Sequence, residues 1–180
     1  MHLLRYPLPA ARNRKGLTEL RATTIIIGVG NESRGDDGAG TATARLLKSR
    51  ITSDIAVLEQ SGEGTALMDA WHGASRVILI DAVCSGVTPG TIHRVDAAAT
   101  PLPRSIFPCS THSFGLADAI EMARALRELP TQVMVYGIEG ASFDEGVPLS
   151  PAVEIAIRSV ADQVQKQVQM ADFEDPSSST

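Results

Sequence analysis

The sequence predicts an α/β protein: a three-layer α-β-α sandwich on a mostly parallel, twisted sheet of about five strands, with one antiparallel strand at an edge. Two dense β-branched runs, TTIIIGV (23–29) and RVILIDAV (76–83), read as strands buried on both faces, as a parallel sheet requires. Strand-like and helical segments alternate along the chain, the pattern of crossover connections that cover both faces of such a sheet. The 180 residues are 43% hydrophobic but only 4% aromatic, which suits one domain with an aliphatic core.

The elements follow in order. Thr23–Val29 is the first strand and runs into a glycine-rich loop, 30–36. Asp37–Arg50 reads as a helix with Ala42, Leu46 and Leu47 on one side. Ile55–Glu59 is the second strand, Gly64–Trp71 a short helix, and Arg76–Val83 the third strand. Pro89-Gly90 marks a turn, and Thr91–Val95 alternates as a half-exposed edge strand does. Pro101–Pro108 is a loop with three prolines. Ser110 or Thr111 is placed to cap a helix over His112–Glu128, which Pro130 stops. Gln132–Ile138 is the last strand. Ser150-Pro151 opens the final helix, which runs to about Gln169. The expected organisation is a basic, extended N-terminal segment (1–22), one domain (23–170) and an acidic, serine-rich tail (171–180).

The net charge of −5 argues against nucleic acid as a partner. No stretch reaches the roughly 18 apolar residues of a membrane span, and the N-terminal segment lacks the apolar run of a signal peptide. Cys84 and Cys109 form neither a C-x-x-C pair nor a zinc spacing. Read as two reduced thiols, they indicate a cytoplasmic setting. Nothing in the pattern asks for more than a monomer.

In open α/β sheets the chemistry sits beyond the carboxyl ends of the strands, where the winding reverses. Three segments deliver polar residues there: the loop after the first strand with Asp37, the end of the third strand with Asp81, and the start of a helix with His112. Two carboxylates and an imidazole suit a divalent transition metal with open coordination positions. Each has a plainer reading. Asp37 can be a helix N-terminal charge, and its neighbour Asp36 reads as a cap. Asp81 ends an apolar run, RVILI-D, where a carboxylate is costly without a partner. His112 stands where a cation is poorly placed, which favours a neutral imidazole. Glu63 is either a substrate contact or a solvated charge. His72 and His93 read as surface residues. Cys109, three positions before His112, is weak as a nucleophile, because adjacency in sequence does not orient a thiolate against a base. The backbone N–H groups of Asn31–Gly35 are candidates for polarising a carbonyl.

Several motifs fail. Gly28-x-Gly30 lacks the third glycine of a dinucleotide fingerprint, because position 33 is Ser33, and Glu32, Asp36 and Asp37 would repel a pyrophosphate. There is no P-loop, no G-x-S-x-G elbow and no aspartic-protease signature.

The segments GVGNESRGDDGAG (28–40), SGEGTALMDAW (61–71), ILIDAVCSGVTPGTI (78–92), STHSFGLADAI (110–120) and VYGIEG...G..LSP (135–151) together resemble the hydrogenase maturation protease family over about Thr23–Val164. The resemblance implies a helix-sandwiched sheet and an endopeptidase that removes a C-terminal extension from the large-subunit precursor of a nickel–iron hydrogenase after nickel insertion. It also implies that Asp37, Asp81 and His112 contact nickel carried by the substrate rather than held permanently. Two alternatives start from other classes. One is a non-catalytic nucleotide-binding module, against which the missing glycine counts. The other is a peptidyl-tRNA hydrolase-like enzyme, which shares the opening strand and G-x-G-N but is disfavoured by the acidic pI near 5.3 and the Asp36-Asp37 pair.

Overall fold

The computed structural model describes residues 23–51, 55–103 and 114–173, with side chains as far as 170. Thr24–Val29 (β1) lies inside the sheet. Ala56–Gln60 (β2) and Arg76–Val83 (β3) pair with it in parallel, one on each side. Gln132–Glu139 (β5) adds in parallel to β3, and Ile92–Asp96 (β4) closes that edge antiparallel to β5. The order is β2-β1-β3-β5-β4, so the expected antiparallel edge strand is present.

The pleat divides the core. Ile25, Ile27 and Val29 face the layer of Gly64–Ala70 (α2) and Leu116–Leu126 (α3), where they meet Leu67, Leu116 and Ile120. Ile26 faces the layer of Ala39–Lys48 (α1) and Pro151–Phe173 (α4), with Leu47, Val153, Val160 and Val164. A strand buried on both sides therefore reads as an unbroken aliphatic run.

Several helix boundaries depart from expectation; α4, for example, runs on to Phe173. The segment expected to start a helix at Asp37 begins as a single 3-10 turn, Gly35–Gly38, before α1. The start of α3 is at Leu116 with Gly115 as a cap that makes no side-chain bond; the expected caps Ser110 and Thr111 lie outside the described residues. At its other end α3 stops before Pro130, through a left-handed Arg127 (φ 60°) whose N–H reaches the carbonyls of Ala123 and Arg124. Among the described residues no helix is long and apolar enough to cross a membrane.

The expectation of two unpaired thiols is corrected: Cys84 is engaged in a disulfide, and no described cysteine is free. Separation along a chain is a poor guide here, because the entropy of closing a loop grows only slowly with its length. The inference of a reducing compartment from these cysteines falls with it. Cys109 lies outside the described residues.

From β1 the chain winds to β2 on one side and then to β3 on the other, so the reversal falls between β1 and β3. The start of α1 rests directly on it. A methyl group at Gly40 would stand 2.2 Å from both the Ile80 and the Val29 carbonyl oxygens.

Candidate active site

The loop after β1 turns back because Gly30 takes φ 135°, and a Cβ there would lie 1.8 Å from the Asp37 carbonyl oxygen. That turn carries Asp37 over the strand ends, where the 3-10 turn packs against β3. Asp81 ends the buried run Ile78–Ile80. Its Oδ1 accepts the Ala82 N–H at 2.9 Å. Loss of solvent pushes its carboxyl up to about 8, the negative charge of Asp37 adds to the rise, and the Ala82 bond opposes it. The two aspartates picked from the sequence thus act on one another electrostatically at the reversal point. At neutral pH Asp81 holds its proton.

His112 lies outside the described residues. Two positions on, Phe114 is anchored at the same edge: its carbonyl accepts the Gly64 N–H at 3.0 Å, and its ring lies 2.3 Å from where a Gly64 Cβ would be. Among the described residues no three His, Cys, Asp or Glu side chains gather as a metal site.

Asp36 is not the helix cap the sequence suggested. It is 1% exposed, and neither the 3-10 turn nor α1 has a side-chain cap bond. Its carboxylate instead accepts the N–H groups of Ala141 (2.7 Å), Ser142 (3.2 Å) and Ser150 (2.7 Å), pinning the β5–α4 loop to the Asp37 turn. The Asp36 N–H to the Ser142 carbonyl, the Gly146 N–H to the Ser33 carbonyl and the Arg34 guanidinium on the Phe143 carbonyl join the same two loops. Asp36→Ala would strand these donors. The expected loss is about 2–4 kcal/mol, visible as a melting point lower by about 5–10 °C. Amide exchange over 141–150 should accelerate, and a melting point matching wild type would refute the clamp.

Glu63 resolves toward structure. It caps α2, accepting the Thr65 N–H at 3.1 Å and the Ala66 N–H at 2.9 Å. The idea that the Asn31–Gly35 amides polarise a carbonyl also weakens, since the Ser33 and Arg34 N–H groups are spent on Asn31.

The sequence reading missed Glu139 and misplaced His93. His93 is not a solvated surface group: its side chain is 18% exposed and its Nε2 lies 3.3 Å from Glu139 Oε2. Glu139, at the end of β5, is 1% exposed. Burial pushes its carboxyl upward, but bonds from the Ser85 hydroxyl (2.8 Å), the Gly86 N–H (2.7 Å), the Ser85 N–H and His93 outweigh burial and hold it below the usual range. The signal was present. Glu139 ends the apolar run VMVYGI as Asp81 ends RVILI.

Comparison with known proteins shows which family the chain resembles. The family model described as hydrogenase maturation protease matches residues 42–167. The chain is 24% identical over 148 residues to the hydrogenase expression/formation protein HupD of Thiocapsa roseopersicina, covering 76% of this chain and 67% of that protein. It is 27% identical over 145 residues to the hydrogenase 2 maturation protease of Escherichia coli, covering 78% and 87%. The solved structure of the hydrogenase maturating endopeptidase HybD from E. coli superposes with a TM-score of 0.68 at 25% identity, over 83% of this chain and 93% of that one. With the family model matched over most of its length and that endopeptidase fold reproduced, the chain is a peptidase and belongs to the hydrogenase maturation protease family.

Proposed function

We propose that this peptidase removes the C-terminal extension of a nickel–iron hydrogenase large-subunit precursor after nickel insertion, and that Asp37, Asp81 and His112 contact the nickel the precursor carries. The observation that carries this is the Asp37–Asp81 pair at the reversal of the sheet, where one carboxyl is held protonated by burial and by its neighbour's charge. Such a pair is uncomfortable alone and is relieved by a dication, which displaces the proton and neutralises the remaining charge. A precursor lacking nickel offers no such relief, so the same pair discriminates loaded from unloaded substrate. Hydrolysis then needs a base for the attacking water. Either the Asp37 carboxylate takes the proton, or the metal lowers the water's pKa. In this reading the chain acts as a monomer in the cytoplasm, a compartment that no longer has the cysteines in its favour. No observation favours the nucleotide-binding or peptidyl-tRNA readings.

The test is the C-terminal mass of the nickel-loaded precursor after incubation with wild type or Asp37→Asn. Wild type should trim it, and the variant should be slower by at least about a hundredfold, as for loss of one charge-stabilising group. Equal trimming would reduce Asp37 to a structural charge. No trimming by wild type would leave the fold without this activity.

A further inference from the structure

Peptide hydrolysis moves protons at both ends of the scissile bond. The attacking water loses one, and the departing amine gains one as the C–N bond breaks, because an amide nitrogen does not leave as an anion. The carboxylates at the reversal account for the first. In the proposed reading nickel displaces the proton of Asp81, so that pair has none left for the amine. The same edge of the sheet holds another acid–base group. Asp81 on β3 and His93 on β4 both register with Gly137 on β5, which runs between them. The alternation that sends Leu79, Val135 and Val95 toward α2 and α3 sends Asp81, Gly137 and His93 to that same face. A Cβ at Gly137 would accordingly lie 3.6 Å from the His93 Cβ. Two strand spacings separate Asp81 from His93, about 10 Å between Cα atoms. Gly137 puts no side chain between them, and the Val83 methyl groups border the position it leaves.

His93 is held as a proton-transfer group is held. Its Nε2 lies 3.3 Å from Glu139 Oε2, and among the described residues its Nδ1 has no partner. A carboxylate on one ring nitrogen fixes the tautomer and the ring's orientation, and leaves the other nitrogen for proton transfer. Glu139 is secured in turn by the Ser85 hydroxyl and the Gly86 N–H, which keep it a carboxylate in spite of its burial. A buried charge is a costly way to fasten an edge strand. The cost is intelligible if the charge serves the imidazole, whose side chain keeps 18% of its surface open.

We propose that His93 is a further catalytic residue, the acid that hands its Nδ1 proton to the departing amine, and that Glu139 is the residue that positions it. The scissile bond then lies across the row, its carbonyl carbon on the Asp81 side and its nitrogen on the His93 side. In the step the oxyanion re-forms its C=O, the C–N bond breaks, and its electron pair stays on nitrogen and takes the Nδ1 proton. The neutral ring, its Nε2–H still on Glu139, regains a proton from solvent. This rests on the proposed function, and the experiment separates the two. Nickel-loaded precursor is prepared with its scissile amide, or with an ester in place of that amide, and trimming by the full chain is followed by mass. An ester releases an alcohol, which needs far less help from an acid than an amine does. His93→Gln keeps an N–H for Glu139 but has no proton to transfer. On the amide its kcat should fall about a hundredfold, with KM within about twofold of wild type. On the ester its kcat should stay within about threefold of wild type, a contrast that a merely structural role would not produce. Glu139→Gln should show the same contrast with a loss of about tenfold on the amide, and adding it to His93→Gln should cost little more, because one acts through the other. His93→Gln with wild-type kcat on the amide, or with equal losses on amide and ester, overturns the acid role. Losses that multiply in the double variant overturn the positioning role of Glu139. If wild type trims neither precursor, the proposed function falls and this assignment with it. If wild type trims both and His93→Gln matches it on the amide, only the assignment falls.

Discussion

Asp81→Asn is expected to make the protein more heat-stable at pH 8 and to abolish trimming. The wild-type carboxyl titrates at about 8 when folded, against an ordinary aspartate value near 3.9. The folded state thus holds a proton that the unfolded chain gives up. The sign follows from linkage. The contribution of Asp81 is fully present below about pH 4, declines as pH rises, and is lost once pH passes the folded value near 8. A gap of about four units would correspond to roughly 5 kcal/mol at full desolvation, at about 1.4 kcal/mol per unit. Asp81 keeps some exposure, so the penalty at pH 8 is on the order of 1–2 kcal/mol, or a few degrees in melting point. Asparagine has the same shape, keeps an oxygen for the Ala82 N–H, and carries no charge at any pH. The melting points of variant and wild type should coincide near pH 4 and separate steadily toward pH 8, the variant above. A difference that stays flat with pH would show that Asp81 is not desolvated as described. A variant that is more stable yet inactive is the usual mark of a site held at a cost to the fold.

Gly40→Ala should have a large effect on stability, comparable to that of Asp36→Ala. In an exposed helix the change gains about 1 kcal/mol through lower chain entropy and better propensity. Here the new methyl would meet two carbonyl oxygens at 2.2 Å and the Val29 nitrogen at 2.7 Å. All three belong to strand backbones, so no side chain can swing away. The start of α1 has to back off the sheet, opening the packing of Ala39 and Leu47. Overpacking of this kind costs up to about 3 kcal/mol and can cost more, which exceeds the helical gain. A fall in melting point of about 5–10 °C is expected. The shift also lifts the Asp37 turn off Asp81, so the pH-dependent instability of Asp81 should shrink in the same variant. A melting point at or above wild type would show that α1 does not lie on the strand ends.

Much of the fold is legible in the sequence, and the parts that are not share a cause. β1 and β3 announce themselves because a strand covered on both faces has no polar alternation to blur it. Asp81 stands out as a charge at the end of such a run, and its meeting with Asp37 follows from where parallel sheets reverse. Asp36 misleads because its three partners lie more than a hundred residues away, and a bond of that range leaves no local pattern. His93 misleads for a related reason. Alternation along β4 marks which side chains leave the core, but not that a buried glutamate on the next strand waits for one of them. The disulfide at Cys84 is hidden because spacing in sequence carries little information on distance once strands have paired.

The parallel pairing of β1 with β2 and β3, and of β3 with β5, has a kinetic consequence. Ile25 pairs with Ala56 and Val77, and Val77 in turn with Val133, so every rung joins residues tens of positions apart. Chains of such high contact order close their long crossovers before these contacts reward them, and they fold slowly. Asp37 and Asp81 share no local segment; they meet only once β1 and β3 are aligned and α1 has settled on both. A newly made or half-folded molecule therefore has both carboxylates without their pairing, and the proposed site arrives together with the finished sheet.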